Sequence, residues 1–117
     1  MPFMFEVCVY GASGAGHPMS VFTLATTFSD VRATYALMDF SANAFANPRL
    51  LFIGRTARLG RQMEDHRDSG LWDRALALGA TAVGVCHAGP ETEQAWIEQD
   101  LLRLHALPLN GRLHAVA

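Results

Sequence analysis

Short runs of β-forming residues dominate the first half of the chain, and helical patterns come among and after them. Segments 3–10, 32–40, 50–53 and 80–87 are rich in β-branched, aromatic and aliphatic side chains, which favour strands. Segment 19–28 has a similar composition and no helix cap, so its state is ambiguous from the pattern alone. Strands first and helices later predict an α+β domain, with a small, mostly antiparallel β-sheet flanked by helices.

Three helices are predicted from their end signals. Segments 56–66 and 69–79 each begin at a hydroxyl residue, which favours an N-cap, and the second ends at a glycine, which favours a C-cap. The clearest helix covers 90–106, because proline suits its first position and acids fill its first turn. A loop rich in turn-forming residues occupies 41–48.

Length and cysteine usage limit the class of protein. The 117 residues suffice for one domain, and half of them are hydrophobic. Cys8 and Cys86 lie in apolar runs, so both are expected to be buried free thiols of a reducing compartment. A metal site on Cys86 and His87 would need further ligands that the sequence does not supply. No apolar run reaches the roughly 18 residues of a membrane span, and no signal peptide is recognisable, so we expect a cytoplasmic protein without a membrane partner.

Arginine accounts for the basic residues of the chain, which number nine and include no lysine. Six of them lie in one central stretch: Arg49, Arg55, Arg58, Arg61, Arg67 and Arg74. The formal net charge is −2, so the surface as a whole is not a cation belt. A locally positive stretch can still contact phosphate groups, which favours a nucleic-acid contact confined to this segment.

Glycines cluster after the first predicted strand, at Gly11, Gly14 and Gly16. A dinucleotide-binding loop would be followed by a helix, but the next stretch is β-branched and aromatic. A Walker loop is excluded because no Gly-Lys-Ser/Thr sequence follows. We interpret the segment as a mobile loop, and the alternative is a small-molecule site built on these glycines.

The last predicted helix carries polar side chains at positions that an apolar arc should occupy. At about 100° per residue, Glu98 and His105 fall on the arc that faces the core, whereas Gln99, Asp100 and Arg103 fall on the opposite side. Burying an unpaired carboxylate is costly, so Glu98 is expected either to pair with an arginine or to hold a metal ion. His105 alone is interpreted as a hydrogen-bonded boundary residue.

The first predicted helix has a polar ridge beside its buried side. Leu59 and Met63 mark the buried side, and Arg58, Gln62 and His66 follow its edge at four-residue intervals. Three further charged residues are expected to point to solvent: Arg61, Glu64 and Asp65. On pattern alone, a histidine in this position is more often a boundary residue than a functional one.

These segments together resemble the GIY-YIG endonuclease superfamily. Its elements follow one another here in the family order: a degenerate first motif at Ala33-Thr-Tyr35, a second motif at Phe52-Ile-Gly54, a helix with His66, a later helix with Glu98, and the tail Pro108-Leu-Asn110. The resemblance implies a GIY-YIG-like core over residues 28–111 of a single domain, 1–117. Residues 1–27 would then be an added strand and glycine-rich loop.

The resemblance implies metal-dependent hydrolysis of DNA phosphodiester bonds. In that interpretation Glu98 holds Mg²⁺ or Mn²⁺, Tyr35 acts as the general base or orients it, and His66 assists. Three arginines would contact the phosphate: Arg55, Arg58 and Arg61. Of these, Arg58 is the best candidate to take a catalytic role as well, because it lies on the ridge with His66.

Two positions depart from the family pattern. Phe52 stands where the family has a tyrosine, and Gln62 stands where it has an arginine, so one hydroxyl and one charge are missing. Gly54 and Asn110 keep their motif positions. The departures leave an alternative open, a catalytically impaired GIY-YIG-like module that binds nucleic acid or a protein partner. A homodimer is a further expectation for so small a core.

Overall fold

The computed structural model describes residues 3–41, 47–87 and 89–110, which form five strands and three helices. In chain order these elements are β1 (Phe3–Tyr10), β2 (Gly16–Thr23), β3 (Ala33–Asp39), β4 (Arg49–Thr56), α1 (Leu59–Ser69), α2 (Leu71–Ala77), β5 (Ala82–Cys86) and α3 (Glu91–Leu104). The strands lie in the order β1-β2-β5-β3-β4, and each neighbouring pair is antiparallel. The expected α+β fold, a small antiparallel sheet flanked by helices, is confirmed.

Helices cover both faces of the central strands. On one face, α3 packs through Ile97 and Leu101 against alternate residues of the sheet. On the other face, Leu59 and Met63 of α1 and Ala75 of α2 pack against the remaining apolar residues. Burial on both faces explains why six consecutive residues of β3 are buried and why its sequence does not alternate.

The glycine-rich segment connects two strands of a β-hairpin. The ambiguous segment 19–28 contains most of β2, which pairs with β1 on one side and with β5 on the other. Because β-branched residues pack well on a pleated surface, tertiary pairing completes this run as a strand. Gly14 has a φ of 88°, which glycine adopts at little steric cost in the turn. The N-terminal extension is therefore two strands of the same sheet, rather than one strand and a loop.

Helix boundaries differ from those expected because the caps come from elsewhere. Thr56 is the last residue of β4, and α1 begins only at Leu59. The carboxylate of Asp30 accepts a hydrogen bond from the backbone N–H of Arg61 at 2.7 Å and so caps the helix from a distant segment. Gly70, with a φ of 90°, ends α1 and precedes α2. The last helix ends at Leu104, two residues before the predicted end.

The C-terminal tail closes the outer edge of β4. The backbone N–H of Leu109 donates to the carbonyl of Leu51 at 3.1 Å. The side chain of Asn110 accepts from the backbone N–H of Ile53 at 2.8 Å and donates to its carbonyl at 2.9 Å. Edge strands expose backbone groups that need partners, so Asn110, which is 6% exposed, has a structural role at this edge.

Three expectations need correction or lie outside the described residues. Cys86 is buried, but Cys8 is exposed, because alternate residues of β1 point away from the core that α3 covers. Of the predicted loop 41–48, residues 42–46 lie outside the described part of the chain, as does residue 111 of the predicted core.

None of the described helices is long and apolar enough to cross a membrane.

Candidate active site

Tyr35 and His66 form a buried hydrogen-bonded pair. The Tyr35 hydroxyl lies 2.6 Å from Nε2 of His66, and the two residues are 2% and 8% exposed. Tyr35 projects from β3, and His66 lies on the buried side of α1 with Leu59 and Met63. A Cβ atom at Gly54 would collide with the Tyr35 hydroxyl, so the glycine of the second motif makes room for the tyrosine of the first.

The hydrogen bond between Tyr35 and His66 joins two side chains that are neutral at neutral pH. Burial lowers the pKa of His66, an effect that the charge of Asp65 partly opposes, so the imidazole is neutral at neutral pH. The side-chain amide of Gln62 also faces Nε2 of His66, at 3.5 Å. In the tautomer whose Nε2 carries no proton, the Tyr35 hydroxyl donates to His66, and its phenolic oxygen keeps lone pairs with which it can accept a proton.

Phe52 covers this pair with an apolar ring. Its ring centroid lies 6.0 Å from that of Tyr35 and 5.2 Å from that of His66. The position where the resemblance expects a second hydroxyl therefore provides packing instead. Phe52 and Gln62 thus stand near Tyr35 and His66 where the resemblance expects a hydroxyl and a guanidinium.

Glu98 is held by an arginine of the edge strand. Nε of Arg55 donates to Oε1 of Glu98 at 3.2 Å, and Nη1 of the same guanidinium donates to Oε2 of Glu91 at 3.0 Å. Arg32 approaches the other oxygen of Glu91 at 3.5 Å. The side chains of Arg55 and Glu98 are 33% and 19% exposed, so the cluster borders solvent. Of the two roles expected for Glu98, the pairing with an arginine is present.

The ion cluster and the tyrosine lie on opposite faces of the sheet. Thr34 lies opposite Arg55 across the pair of β3 and β4, and Tyr35 lies opposite Gly54. Opposite residues share a face and successive residues alternate, so Arg55 points toward α3, whereas Tyr35 points toward α1. The Thr34 hydroxyl agrees with this assignment, since it donates to the Gln94 carbonyl in α3 at 3.1 Å.

Glu98 and Tyr35 interact through charge rather than contact. The pKa of Tyr35 is raised, first by burial and then by the negative charge of Glu98. The carboxylate accepts its hydrogen bond from Arg55, and the Tyr35 hydroxyl bonds to His66. The structure thus brings Tyr35 and His66 together and places Glu98 on the opposite face of the sheet, within electrostatic range of Tyr35.

Arg58 and Arg61 lie away from the Tyr35–His66 pair. The guanidinium of Arg58 donates twice to one carboxylate oxygen of Asp30, at 3.1 and 2.9 Å. Arg61 approaches Asp65 at 3.7 Å, as expected for a solvent-facing pair at i and i+4. The pKa of Asp30 is lowered, first by the backbone hydrogen bond from Arg61 and then by Arg58. Arg58 therefore pairs with the capping residue Asp30 at the start of α1 rather than extending the ridge toward His66.

Most arginines of the central stretch are paired with carboxylates. Arg49 approaches Asp39 at 3.5 Å, and Arg55, Arg58 and Arg61 have the acidic partners given above. Arg67 donates to two backbone carbonyls and lies 4.6 Å from the centre of the Trp72 ring. The positive patch expected from the sequence is consequently neutralised over much of its length.

The residues present fit a magnesium ion better than a zinc ion. Within the described ranges, no three His, Cys, Asp or Glu side chains converge on one point, as a protein cage for zinc requires. Magnesium keeps several waters and needs only one or two carboxylates. Glu98 is a single carboxylate that borders solvent, and its Oε1 accepts the hydrogen bond from Arg55.

A second polar cluster lies beneath the glycine loop, and the sequence patterns did not identify it. Asp100 is 5% exposed, and its carboxylate accepts hydrogen bonds at 2.8 Å from the backbone N–H and the hydroxyl of Ser13. His17 lies 2.8 Å from the same carboxylate. The expectation that Asp100 faces solvent is wrong, because the β1–β2 hairpin covers that side of α3. Asp100 is 83 residues from His17, so no local pattern could link them.

His105, the other polar residue singled out on the last helix, is a boundary residue. It caps the C-terminal end of α3, and its Nε2 donates to the carbonyl of Tyr10 at 2.8 Å. The contact ties the end of α3 to the end of β1. Its role is structural, as interpreted from the pattern.

Comparisons with protein-family models, with curated proteins and with solved structures find no match. The functional assignment therefore rests on the residues and on their geometry.

Proposed function

We propose that this domain is a divalent-metal-dependent endonuclease that hydrolyses DNA phosphodiester bonds. The observation that carries the proposal is the 2.6 Å hydrogen bond between the Tyr35 hydroxyl and Nε2 of His66. The order of the elements from β3 to the tail is what the GIY-YIG resemblance implies: two strands, a helix with histidine, and a later helix with glutamate. Gly54, which leaves room for Tyr35, and Asn110, which bonds to the backbone of the neighbouring Ile53, support the same interpretation.

The Tyr35–His66 pair is suited to moving a proton away from an attacking water. The raised pKa of Tyr35 keeps its hydroxyl protonated at neutral pH. As the phenolic oxygen accepts a proton from water, the original phenolic proton passes to Nε2 of neutral His66, which becomes an imidazolium. Tyr35 is only 2% exposed, so access of water requires movement of the covering side chains, of which Phe52 is one.

Glu98 is the residue that would hold the metal ion. When bound there, Mg²⁺ or Mn²⁺ would offset negative charge on the phosphate and acidify a bound water. Arg55 lies beside Glu98, and its planar guanidinium matches two phosphoryl oxygens at once. In this proposal Glu98 and Arg55 would supply the electrostatic contribution from the α3 face of the sheet, and Tyr35 and His66 would supply proton transfer from the α1 face.

A nicking experiment tests the proposal. Supercoiled plasmid is incubated with the purified chain and Mg²⁺ or Mn²⁺, and conversion to the open circle is followed on a gel. The unaltered chain should nick, whereas Tyr35→Phe and Glu98→Gln should lower the rate by at least about a hundredfold, as loss of a transition-state group does. Glu93→Gln is the matched control, an exposed carboxylate on the same helix. If the unaltered chain leaves DNA intact with both metals, the nuclease proposal is overturned.

The second candidate is a module that binds nucleic acid and has lost catalysis. Phe52 and Gln62 favour it. These two residues replace a tyrosine and an arginine of the family pattern, and both lie against the Tyr35–His66 pair. It predicts no nicking, together with DNA binding that weakens steeply as salt concentration rises. Arg74→Gln would then reduce affinity, since Arg74 has no acidic partner among the residues that the structure describes.

A further inference from the structure

His17 and Asp100 form a second buried polar pair, which the proposed function does not use. Nε2 of His17 lies 2.8 Å from Oδ2 of Asp100, and the two residues are 4% and 5% exposed. Both oxygens of the carboxylate also accept hydrogen bonds from Ser13. A Cβ atom at Gly11 would collide with the Asp100 carboxylate, so this glycine allows the loop to close over it. Asp100 is therefore fixed from the side of the glycine loop and presents one oxygen to His17.

The Asp100 carboxylate determines which nitrogen of His17 carries a proton. The pKa of Asp100 is lowered, first by the hydrogen bond from His17, so the carboxylate is ionised at neutral pH and can only accept. Nε2 of His17 consequently donates the hydrogen bond that joins the two side chains. In the neutral imidazole the other nitrogen, Nδ1, is then an acceptor. Nδ1 has no hydrogen-bond partner among the residues that the structure describes.

His17 lines a cavity of about 460 Å³. The cavity lies where β5 ends at Cys86, while the neighbouring strand β2 extends past that end toward Gly16. Trp96 and Ile97 of α3 form part of its wall, and the ring centroids of Trp96 and His17 are 5.3 Å apart at an angle of 72°. Trp96 is 51% exposed, so its indole keeps surface for contact with a ligand. This volume and an aromatic wall with few polar groups are typical of a ligand pocket.

The charges of the lining residues select against an anion. Glu6 and Glu93 line the cavity, and none of the described residues around it is an arginine. Both carboxylates would repel a phosphate or a carboxylate group of a ligand, whereas an uncharged ligand meets no such repulsion. Neither residue belongs to the Glu98–Arg55 cluster. The cavity is thus separate from the proposed nuclease site and unsuited to its phosphates.

We propose that this cavity binds an uncharged planar heteroaromatic compound, whose ring N–H donates to Nδ1 of His17 and whose ring packs against the Trp96 indole. The inference goes beyond the proposed function and does not rest on it. The hydrogen bond would use the acceptor that the pairing with Asp100 leaves free. Offset or edge-to-face contacts between aromatic rings are favourable beyond the area that they bury.

Titration with indole tests the proposal. Resonances of the ¹⁵N-labelled chain are followed by NMR at pH 7.5 as indole, 1-methylindole or 3-methylindole is added. Indole and 3-methylindole should each bind at least about fivefold more tightly than 1-methylindole, which has no N–H group for His17. The 3-methyl compound controls for the size of the added methyl group. The indole N–H signal of Trp96 should move, whereas that of Trp72, which lies against Arg67, is the internal control and should stay in place.

A ring signal and a variant identify the contacts. The Nδ1 resonance of His17 should shift when indole binds and not when 1-methylindole is added, a difference that a purely structural histidine would not show. Trp96→Leu should weaken indole binding at least about threefold. Leu104→Ala, at another exposed apolar residue of α3, is the matched control and should change nothing. Equal affinities for indole and 1-methylindole would overturn the proposal, as would absence of binding by all three compounds or shifts that spare Trp96.

Discussion

The ring of Tyr35 occupies the space that a side chain at Gly54 would need. We predict that Gly54→Ala displaces the tyrosine and breaks its hydrogen bond to His66, which lowers the free energy of unfolding by about 1–3 kcal/mol. Urea denaturation measures the change. In the background of Tyr35→Ala, where the ring is absent, the same glycine substitution should cost much less. Equal costs in the two backgrounds would show that the ring and the glycine are energetically independent.

A histidine that stays neutral inside the protein makes folding sensitive to mild acid. Burial lowers the pKa of His66 below its ordinary value of 6.5, so the unfolded chain binds a proton more readily than the folded chain. Stability present above about pH 6.5 is therefore lost as the pH falls from there toward the lower folded pKa. We predict that His66→Gln loses less stability between pH 7 and pH 5, measured by urea denaturation. If His66→Gln lost as much stability between pH 7 and pH 5 as the unaltered chain does, the prediction would be wrong.

Asp100 ties the glycine loop to α3, and its carboxylate must be ionised to do so. The pKa of Asp100 is held below its usual value of 3.8, first by the hydrogen bond from His17 and next by those from Ser13, while desolvation opposes the shift. The resulting stability is present at neutral pH and is lost as the pH falls below about 3.8.

We predict that Asp100→Asn lowers the thermal unfolding midpoint at pH 7 and that the difference from the unaltered chain shrinks below pH 4. Asp68→Asn, at an exposed carboxylate of α1, is the control and should leave the midpoint within a degree or so. A midpoint at pH 7 that is equally unaffected by both substitutions would show that the Asp100 cluster does not stabilise the fold. Loss of amide protection at Ser13 in the Asp100 variant would place the effect in the loop.

Asn110 substitutes for a strand partner at the edge of β4. Asn110→Ala removes two hydrogen bonds to the backbone of Ile53 and leaves both backbone groups without a partner. The expected loss in the free energy of unfolding is about 1–3 kcal/mol, measured by denaturation. Gln99→Ala, on the exposed side of α3, is a control that should cost little. Amide exchange at Ile53 should accelerate in the first variant alone, and slow exchange there would refute the capping role.

Phe52 and Gln62 offer a way to separate lost chemistry from lost binding. We predict that the double variant Phe52→Tyr, Gln62→Arg nicks plasmid in Mg²⁺ at least about a hundredfold faster than the unaltered chain, since it restores a hydroxyl and a charge donor beside Tyr35. Glu98→Gln added to this variant should abolish the gain. No increase, in a variant that melts at the same temperature and binds DNA equally well, would mean that these two positions do not limit the reaction.

Elements whose pattern lies within a few residues could be predicted from the sequence. The helix that begins after Pro90 and the burial of Leu59 and Met63 follow from local periodicity and end signals. The strand state of β2 does not, because its apolar run suits a strand only once β1 and β5 pair with it. The prediction that Asp100 faces solvent was wrong for a similar reason. A helical wheel shows which side of a helix is polar, but it does not show that a hairpin covers that side.

The residue types at the candidate site could be predicted from the sequence, but their contact partners could not. Tyr35, His66 and Glu98 can be singled out from motif order and helical position alone. Whether Glu98 meets a metal ion or an arginine depends on Arg55, which is 43 residues away and reaches Glu98 because β4 packs against α3. Local periodicity governs which side of an element is buried, whereas ion pairs and caps join segments that only the folded chain brings within 3 to 4 Å.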